Sequence, residues 1–145
     1  MNSSKHDGLK VAKFGGTSLA DAAQIKKICD IVRADPARRI VVVSAPGKRN
    51  KNDTKVTDML IACAEAKLSG GAVEPALKAI VERYAGIQRD SGVSESIVAT
   101  IEKDLRDRLA LSQADRKKFV DCMKAAGEDN SAKLVAMIFS KNGLE

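Results

Sequence analysis

Lys13-Phe14-Gly15-Gly16-Thr17-Ser18 brings together an ammonium, a glycine pair and two hydroxyls in one short run. That combination suits phosphate. Glycines let the backbone approach phosphate oxygens with no Cβ in the way, and N–H groups at a strand-to-helix turn donate to anions. Thr17 and Ser18 add hydroxyl donors. Lys13, at the strand end, would place its charge where negative charge shifts during phosphoryl transfer. The lysine precedes the glycines, so the run is neither GxxxxGK[ST] nor GxGxxG. Each residue also has a plainer role: a tight βα turn for Gly15 and Gly16, an edge lysine for Lys13, helix capping for Thr17 and Ser18.

Two later stretches carry compatible chemistry. "VVVSAPG" (41–47) ends a buried strand in Ser44, and parallel strands end on the same side, so Ser44 would face the same crevice as Lys13. "AAGEDNSAKL" (125–134) presents Glu128 at what reads as a helix start. A carboxylate there caps the helix through its dipole, or recognises a cationic group such as an ammonium. Cys29, Cys63 and Cys122 are far apart, with no CxxC pair and a single histidine, His6. No protein-ligated metal is expected, and the cysteines read as buried free thiols of a reducing compartment.

The elements that must position these groups follow from hydrophobic pattern. Leu9–Phe14 and Arg39–Ala45 are continuous β-branched runs, which predict strands covered on both faces. Between them Ile25, Ile28, Cys29 and Val32 mark a helix face, with Asp21 and Gln24 as a capping box and Pro36 ending the helix. The result is a βαβ unit. Pro46–Lys55 reads as a polar, solvated and mobile loop. Thr57 is predicted to cap a helix reaching about Lys67, with Leu60, Cys63 and Ala64 inward. Leu77, Ile80, Val81 and Tyr84 mark the next helix, and Ile97, Ile101, Leu105 and Leu109 the one after Ser94. Ser112 and Asp115 open a helix carrying Phe119, Val120 and Met123; "AAGEDN" is predicted to interrupt it before a last helix that ends at Gly143.

Composition bounds the class. The 145 residues are the size of one domain, 44% hydrophobic but only 3% aromatic, with the helix formers of an α/β fold. The net charge of +6 could attract polyanions, yet the basic stretch "GKRNKNDTK" (47–55) has no aromatic residues for stacking, so no nucleic-acid partner is expected. No apolar run reaches the roughly 18 residues of a membrane span, and the polar start is no signal peptide, so a soluble, cytoplasmic protein is expected. Five helices need more than two strands to pack on. The chain is therefore expected to be the N-terminal piece of a longer protein.

"KFGGTSLAD" (13–21), "VVVSAPGKR" (41–49), "KVTDML" (55–60) and "GEDNSAKLVA" (127–136) together resemble, in order, the N-terminal motifs of aspartate kinases in the amino acid kinase family. The resemblance implies a three-layer αβα sandwich with a mostly parallel sheet. Residues 1–8 would be a polar tail and 9–145 the N-terminal part of the catalytic domain, without ACT-type regulatory domains. It implies transfer of the γ-phosphoryl group of ATP, as its Mg²⁺ complex, to the side-chain carboxylate of L-aspartate. The product, 4-phospho-L-aspartate, leads to lysine, threonine and methionine. Lys13 would stabilise the transferred phosphate, with Phe14, Gly15, Gly16, Ser18 and Ser44 around the nucleotide. Thr57 and Glu128 would bind aspartate, Glu128 through the substrate's ammonium. The full-length enzyme would be a homo-oligomer with no nucleic-acid or membrane partner. The adenine-binding segments and a later active-site aspartate and arginine of such kinases are not among these motifs, so the chain alone is expected to be inactive. The alternatives are a sibling acetylglutamate or glutamate 5-kinase, or a non-catalytic module that binds an anion or a partner protein.

Overall fold

The β-branched runs do form strands, and they pair with each other. In the computed structural model, which describes residues 8–94 and 96–145, β1 (Lys10–Phe14) and β2 (Arg38–Val43) make a two-stranded parallel sheet. Val11 lies opposite Ile40 and Phe14 opposite Val43. His6 and the rest of the expected tail, Gly8 aside, lie outside the described residues. β2 ends two residues before Ala45, which leaves Ser44 in the connection that follows. The two faces of the sheet differ from expectation. Phe14, Val41 and Val43 pack on the core, whereas Val11 is 60% exposed and Ile40 and Val42 are each 44% exposed. The described helices cover one face only.

Between the strands runs α1 (Ala22–Arg33), with Ile25, Ile28, Cys29 and Val32 buried. Asp21 caps it: its Oδ1 accepts from the Gln24 amide at 2.9 Å. α2 (Val56–Leu68) does not start on a Thr57 cap. Thr57 is its second residue, and the first amide, that of Val56, donates instead to the Pro46 carbonyl at 3.0 Å. A tertiary contact has taken the place of a local cap. α3 (Glu74–Asp90) buries Leu77, Ile80, Tyr84 and Ile87, and α4 (Val98–Leu109) buries Ile101, Leu105 and Leu109.

The largest departure is α5 (Arg116–Lys141), capped by the Asp115 carboxylate on the Lys118 amide. It runs unbroken through residues 125–130, where an interruption was predicted. The glycine that suggested a break is a contact. A Cβ on Gly127 would lie 2.7 Å from the Ala45 Cβ and 3.1 Å from the Leu60 Cδ1, so its absence lets α5 press against the end of β2 and against α2. The polar residues after it are also absorbed: Asn130 is fully buried and donates to Asp104 at 2.9 Å. Glu128 accordingly sits mid-helix, where neither an N-cap nor the positive end of a dipole is available.

Candidate functional site

β1 does not pass directly into a helix. It ends at Phe14, continues through Gly15 in extended geometry (φ −78°, ψ 171°), and forms a 3₁₀ turn over Gly16–Leu19 before Asp21. Neither glycine has positive φ; among the described residues only Gly70, Gly92 and Gly143 do. Close approach explains one of the pair. A Cβ on Gly16 would lie 3.0 Å from the Ala45 carbonyl oxygen, and one on Gly47 would fall 2.5 Å from the Gly16 carbonyl carbon. The Gly47 amide donates to the Gly16 carbonyl at 2.7 Å, which fastens the two loops together. Gly15 is different: a Cβ there would meet nothing within 4 Å. The amides of Gly15, Gly16 and Thr17 donate to no backbone acceptor among the described residues. A bare, donor-rich stretch therefore lies at the strand end.

The other candidate residues are disposed around it. Lys13 lies opposite Val42, exposed, with no ion pair among the described residues. The Ser44 amide donates to the Phe14 carbonyl at 3.2 Å, which sets Ser44 and Gly15 at the same end of the sheet. Ser18 lies in the 3₁₀ turn, and its amide donates to the Gly15 carbonyl at 3.0 Å. The Phe14 side chain is half-buried and packs against the core. Thr57 reaches the same end because Val56 is bonded to Pro46, and Glu128 because Gly127 abuts Ala45. The Glu128 carboxylate is exposed and accepts no hydrogen bond among the described residues. Segments far apart in sequence thus meet at the carboxyl ends of β1 and β2.

Sequence reasoning missed the group that ties them. Arg83 of α3 is 6% exposed and spends its guanidinium on the loops: Nη2 donates to the carbonyls of Ala20 (3.1 Å) and Gly47 (2.5 Å), and Nη1 to Asp53 Oδ2 (2.9 Å) and the Thr54 carbonyl (3.4 Å). Burial lowers its pKa. Asp53 also accepts from the Arg49 amide, Nε and Nη2, and these hydrogen bonds hold its carboxyl far below the usual carboxylate range. The predicted mobile loop 46–55 is therefore folded on itself, although Lys48, Arg49 and Lys51 face solvent. A second anchor stands beside the first. Tyr84 is 1% exposed and its hydroxyl donates to the Gly127 carbonyl at 2.9 Å; burial pushes the phenol well up. The one sequence signal for Arg83 was a charged residue lying within an otherwise apolar helix face.

Of the cysteines, Cys29 and Cys63 are buried, and burial raises both thiols. Cys122 is half-buried, unlike the expectation, with the Arg108 guanidinium donating to its carbonyl at 2.7 Å. Among the described residues no cluster of three or more His, Cys, Asp or Glu could hold a metal ion.

The chain is similar to known proteins in sequence and in fold. Residues 8–145 match the sequence profile described as the amino acid kinase family. The chain is 48% identical to aspartokinase 3 of Bacillus subtilis over 137 residues, covering 94% of this chain and 30% of the relative. It is 28% identical to the aspartokinase of Chlamydia muridarum, covering 93% of this chain and 28% of that one. Among solved structures, the aspartate kinase of Clostridium acetobutylicum superposes with a TM-score of 0.79 at 30% identity, over 93% of this chain and 29% of that chain. Aspartokinase III of E. coli, solved with aspartate and ADP, gives 0.69 at 25% identity, over 92% of this chain and 29% of that one. The chain thus spans about 30% of the length of the relatives it matches.

Proposed function

The chain belongs to the amino acid kinase family, and from that premise we propose that it carries the phosphate- and acceptor-binding portion of an aspartate kinase. The reaction is transfer of the ATP γ-phosphoryl group to the side-chain carboxylate of L-aspartate, giving 4-phospho-L-aspartate for lysine, threonine and methionine synthesis. One observation carries the reading. The open space at Gly15, amides of Gly15 to Thr17 and a Lys13 ammonium with no partner among the described residues, and Ser44 share the strand ends with the exposed carboxylate of Glu128. Similarity to named aspartokinases supports the choice of acceptor.

The chemistry matches these parts. A carboxylate is ionised at neutral pH and already nucleophilic, so no strong base is required. The barrier is repulsion between that anion and the nucleotide's phosphates. Lys13 and the amides of Gly15, Gly16 and Thr17 offset it by holding charge where it develops. Ser18 and Ser44 add donors. Glu128 takes the substrate's ammonium and Thr57 its polar groups, which turns the acceptor carboxylate toward the phosphate. The open space at Gly15 supports this reading, since it leaves room for a phosphate oxygen beside the backbone. Mg²⁺ would be bound with the nucleotide and would supply further positive charge against the phosphates. Residues 9–145 are on this reading the N-terminal part of the catalytic domain of a cytoplasmic homo-oligomer. No helix among the described residues is long and apolar enough to cross a membrane.

The test is a substrate panel on the full-length natural protein with MgATP and L-aspartate, L-glutamate or N-acetyl-L-glutamate. Hydroxylamine traps the acyl phosphate. Hydroxamate from aspartate alone is the expected outcome. Hydroxamate from either glutamate substrate in preference to aspartate would overturn the reading, as would none from any of them.

A further inference from the structure

We infer that Arg83 and Tyr84, neighbours on α3, are positioning residues that hold the two halves of the site in register. Arg83 joins the loops that carry the phosphate-binding groups, and Tyr84 fixes the turn of α5 that carries Glu128. The kinetic part of this inference rests on the proposed phosphoryl transfer; the structural part does not.

Every segment Arg83 grips leads to a candidate site residue. Ala20 closely follows Ser18, Gly47 follows Ser44, and Thr54 precedes Thr57. A guanidinium can do this because its donors fan out in a fixed plane, whereas an ammonium is a point charge. Stability alone would not call for such a group. Apolar residues of similar volume often replace a buried ion pair at no loss, since desolvation consumes most of the attraction. Here the charge is kept, its Nε has no partner among the described residues, and its tips are spent on the Ala20, Gly47 and Thr54 carbonyls and on Asp53. Asp53 also accepts from Arg49, so the carboxylate that meets the fork is held from a second side.

Tyr84 does the corresponding work on the acceptor side. Its hydroxyl donates to the carbonyl of the residue preceding Glu128, in the middle of a long helix. That bond, with the Gly127–Ala45 contact, sets the rotation of α5 about its axis where Glu128 emerges. A phenylalanine would fill the same volume without fixing that rotation. Because both residues stand on one helix, any shift of α3 moves both halves of the site together.

The test uses R83K and Y84F in the full-length natural protein, read by steady-state kinetics and by amide hydrogen exchange. R83K is expected to lower kcat by about tenfold or more and to speed exchange at residues 15–18 and 47–56, with α4 unchanged. Y84F is expected to raise the KM for L-aspartate by roughly three- to tenfold and leave that for MgATP within about twofold. A kcat for R83K within about twofold of wild type would overturn the inference. So would faster exchange across all helices, with activity tracking the folded fraction. Should R83K fail to fold, Y84F decides, and an unchanged KM for aspartate counts against positioning. If wild type phosphorylates no aspartate, the functional reading fails by itself and exchange alone judges the inference: a local rise upholds it, an unchanged profile refutes it.

Discussion

Gly15, read from sequence as part of a turn, and Gly127, read as part of a helix break, serve opposite ends. Among the described residues nothing lies within 4 Å of a would-be side chain at Gly15, and the neighbouring amides have no acceptor. Around Gly127 the space a side chain would take is filled by Ala45 and Leu60, and the Tyr84 hydroxyl donates to its carbonyl. The first glycine leaves room for a ligand. The second removes room so that a helix can approach. The molecule thus separates a loop whose residues should matter for chemistry and little for stability from a set of contacts that should matter for stability first.

The sharpest test of that division is Lys13→Ala. Lys13 is exposed and unpaired among the described residues, so its loss should leave the melting temperature within error. Turnover in the full-length protein should nevertheless fall about 10²–10³-fold, the usual loss when one donor to a developing anion is removed, with little change in KM for aspartate. Equal damage to kcat and to aspartate binding would dissolve the distinction between the loop and its supports.

On the opposite side stand Gly47→Ala and Gly127→Ala. At Gly47 a methyl would meet three backbone atoms within 2.8 Å, none of which can swing away. Overpacking of this kind typically costs about 1–3 kcal/mol, and Gly47 belongs at the upper end. Gly127→Ala gains about 1 kcal/mol of helix propensity, which offsets part of its clash with the Ala45 Cβ at 2.7 Å. Its net cost should be smaller, roughly 1 kcal/mol. Denaturant midpoints of both variants would measure this, and a stabilised Gly127→Ala would mean that α5 can slide off β2.

The same distinction explains what was legible in the sequence. The strands, the Asp21 and Asp115 caps and the inner faces of α1 to α4 could be read because each depends on residues near one another in the chain. The continuity of α5 could not. Glycine costs a helix about 1 kcal/mol, and only a distant residue, Ala45, shows why the cost is met. Arg83 was hidden for a related reason: its acceptors at Ala20, Gly47 and Thr54 are backbone carbonyls, which every residue possesses and no sequence pattern reveals. The Thr57 cap failed likewise, because the Pro46 carbonyl had already taken the Val56 amide. The candidate site residues could be named one at a time. The scaffold that gathers them could not.

That scaffold should carry a pH signature. Asp53 is 10% exposed, and the hydrogen bonds from Arg49 hold its carboxyl below the ordinary value. A carboxyl depressed in the folded state contributes stability that is complete above its unfolded value near pH 4 and is lost as pH falls through the folded one. Wild type should therefore weaken steadily below about pH 4, and Asp53→Asn should be less stable at neutrality but flatter over that acid range. Parallel curves for the two proteins would remove Asp53 from the account.

Gly15→Ala makes the smallest change and divides the two regions most cleanly. The backbone there is extended with negative φ, which alanine adopts freely, and among the described residues the added methyl meets nothing within 4 Å. Stability should move by less than about 0.5 kcal/mol, and the reduced freedom of the unfolded chain favours a slight gain. If the bare surface is a phosphate cradle, that methyl occupies the space a phosphate oxygen would use. Nucleotide affinity of the full-length protein should then drop severalfold while aspartate affinity holds, which calorimetry with each ligand would resolve. An alanine that binds MgATP as well as glycine does would mean that the openness at Gly15 has no bearing on the nucleotide. The functional weight would then shift to Lys13 and Ser44.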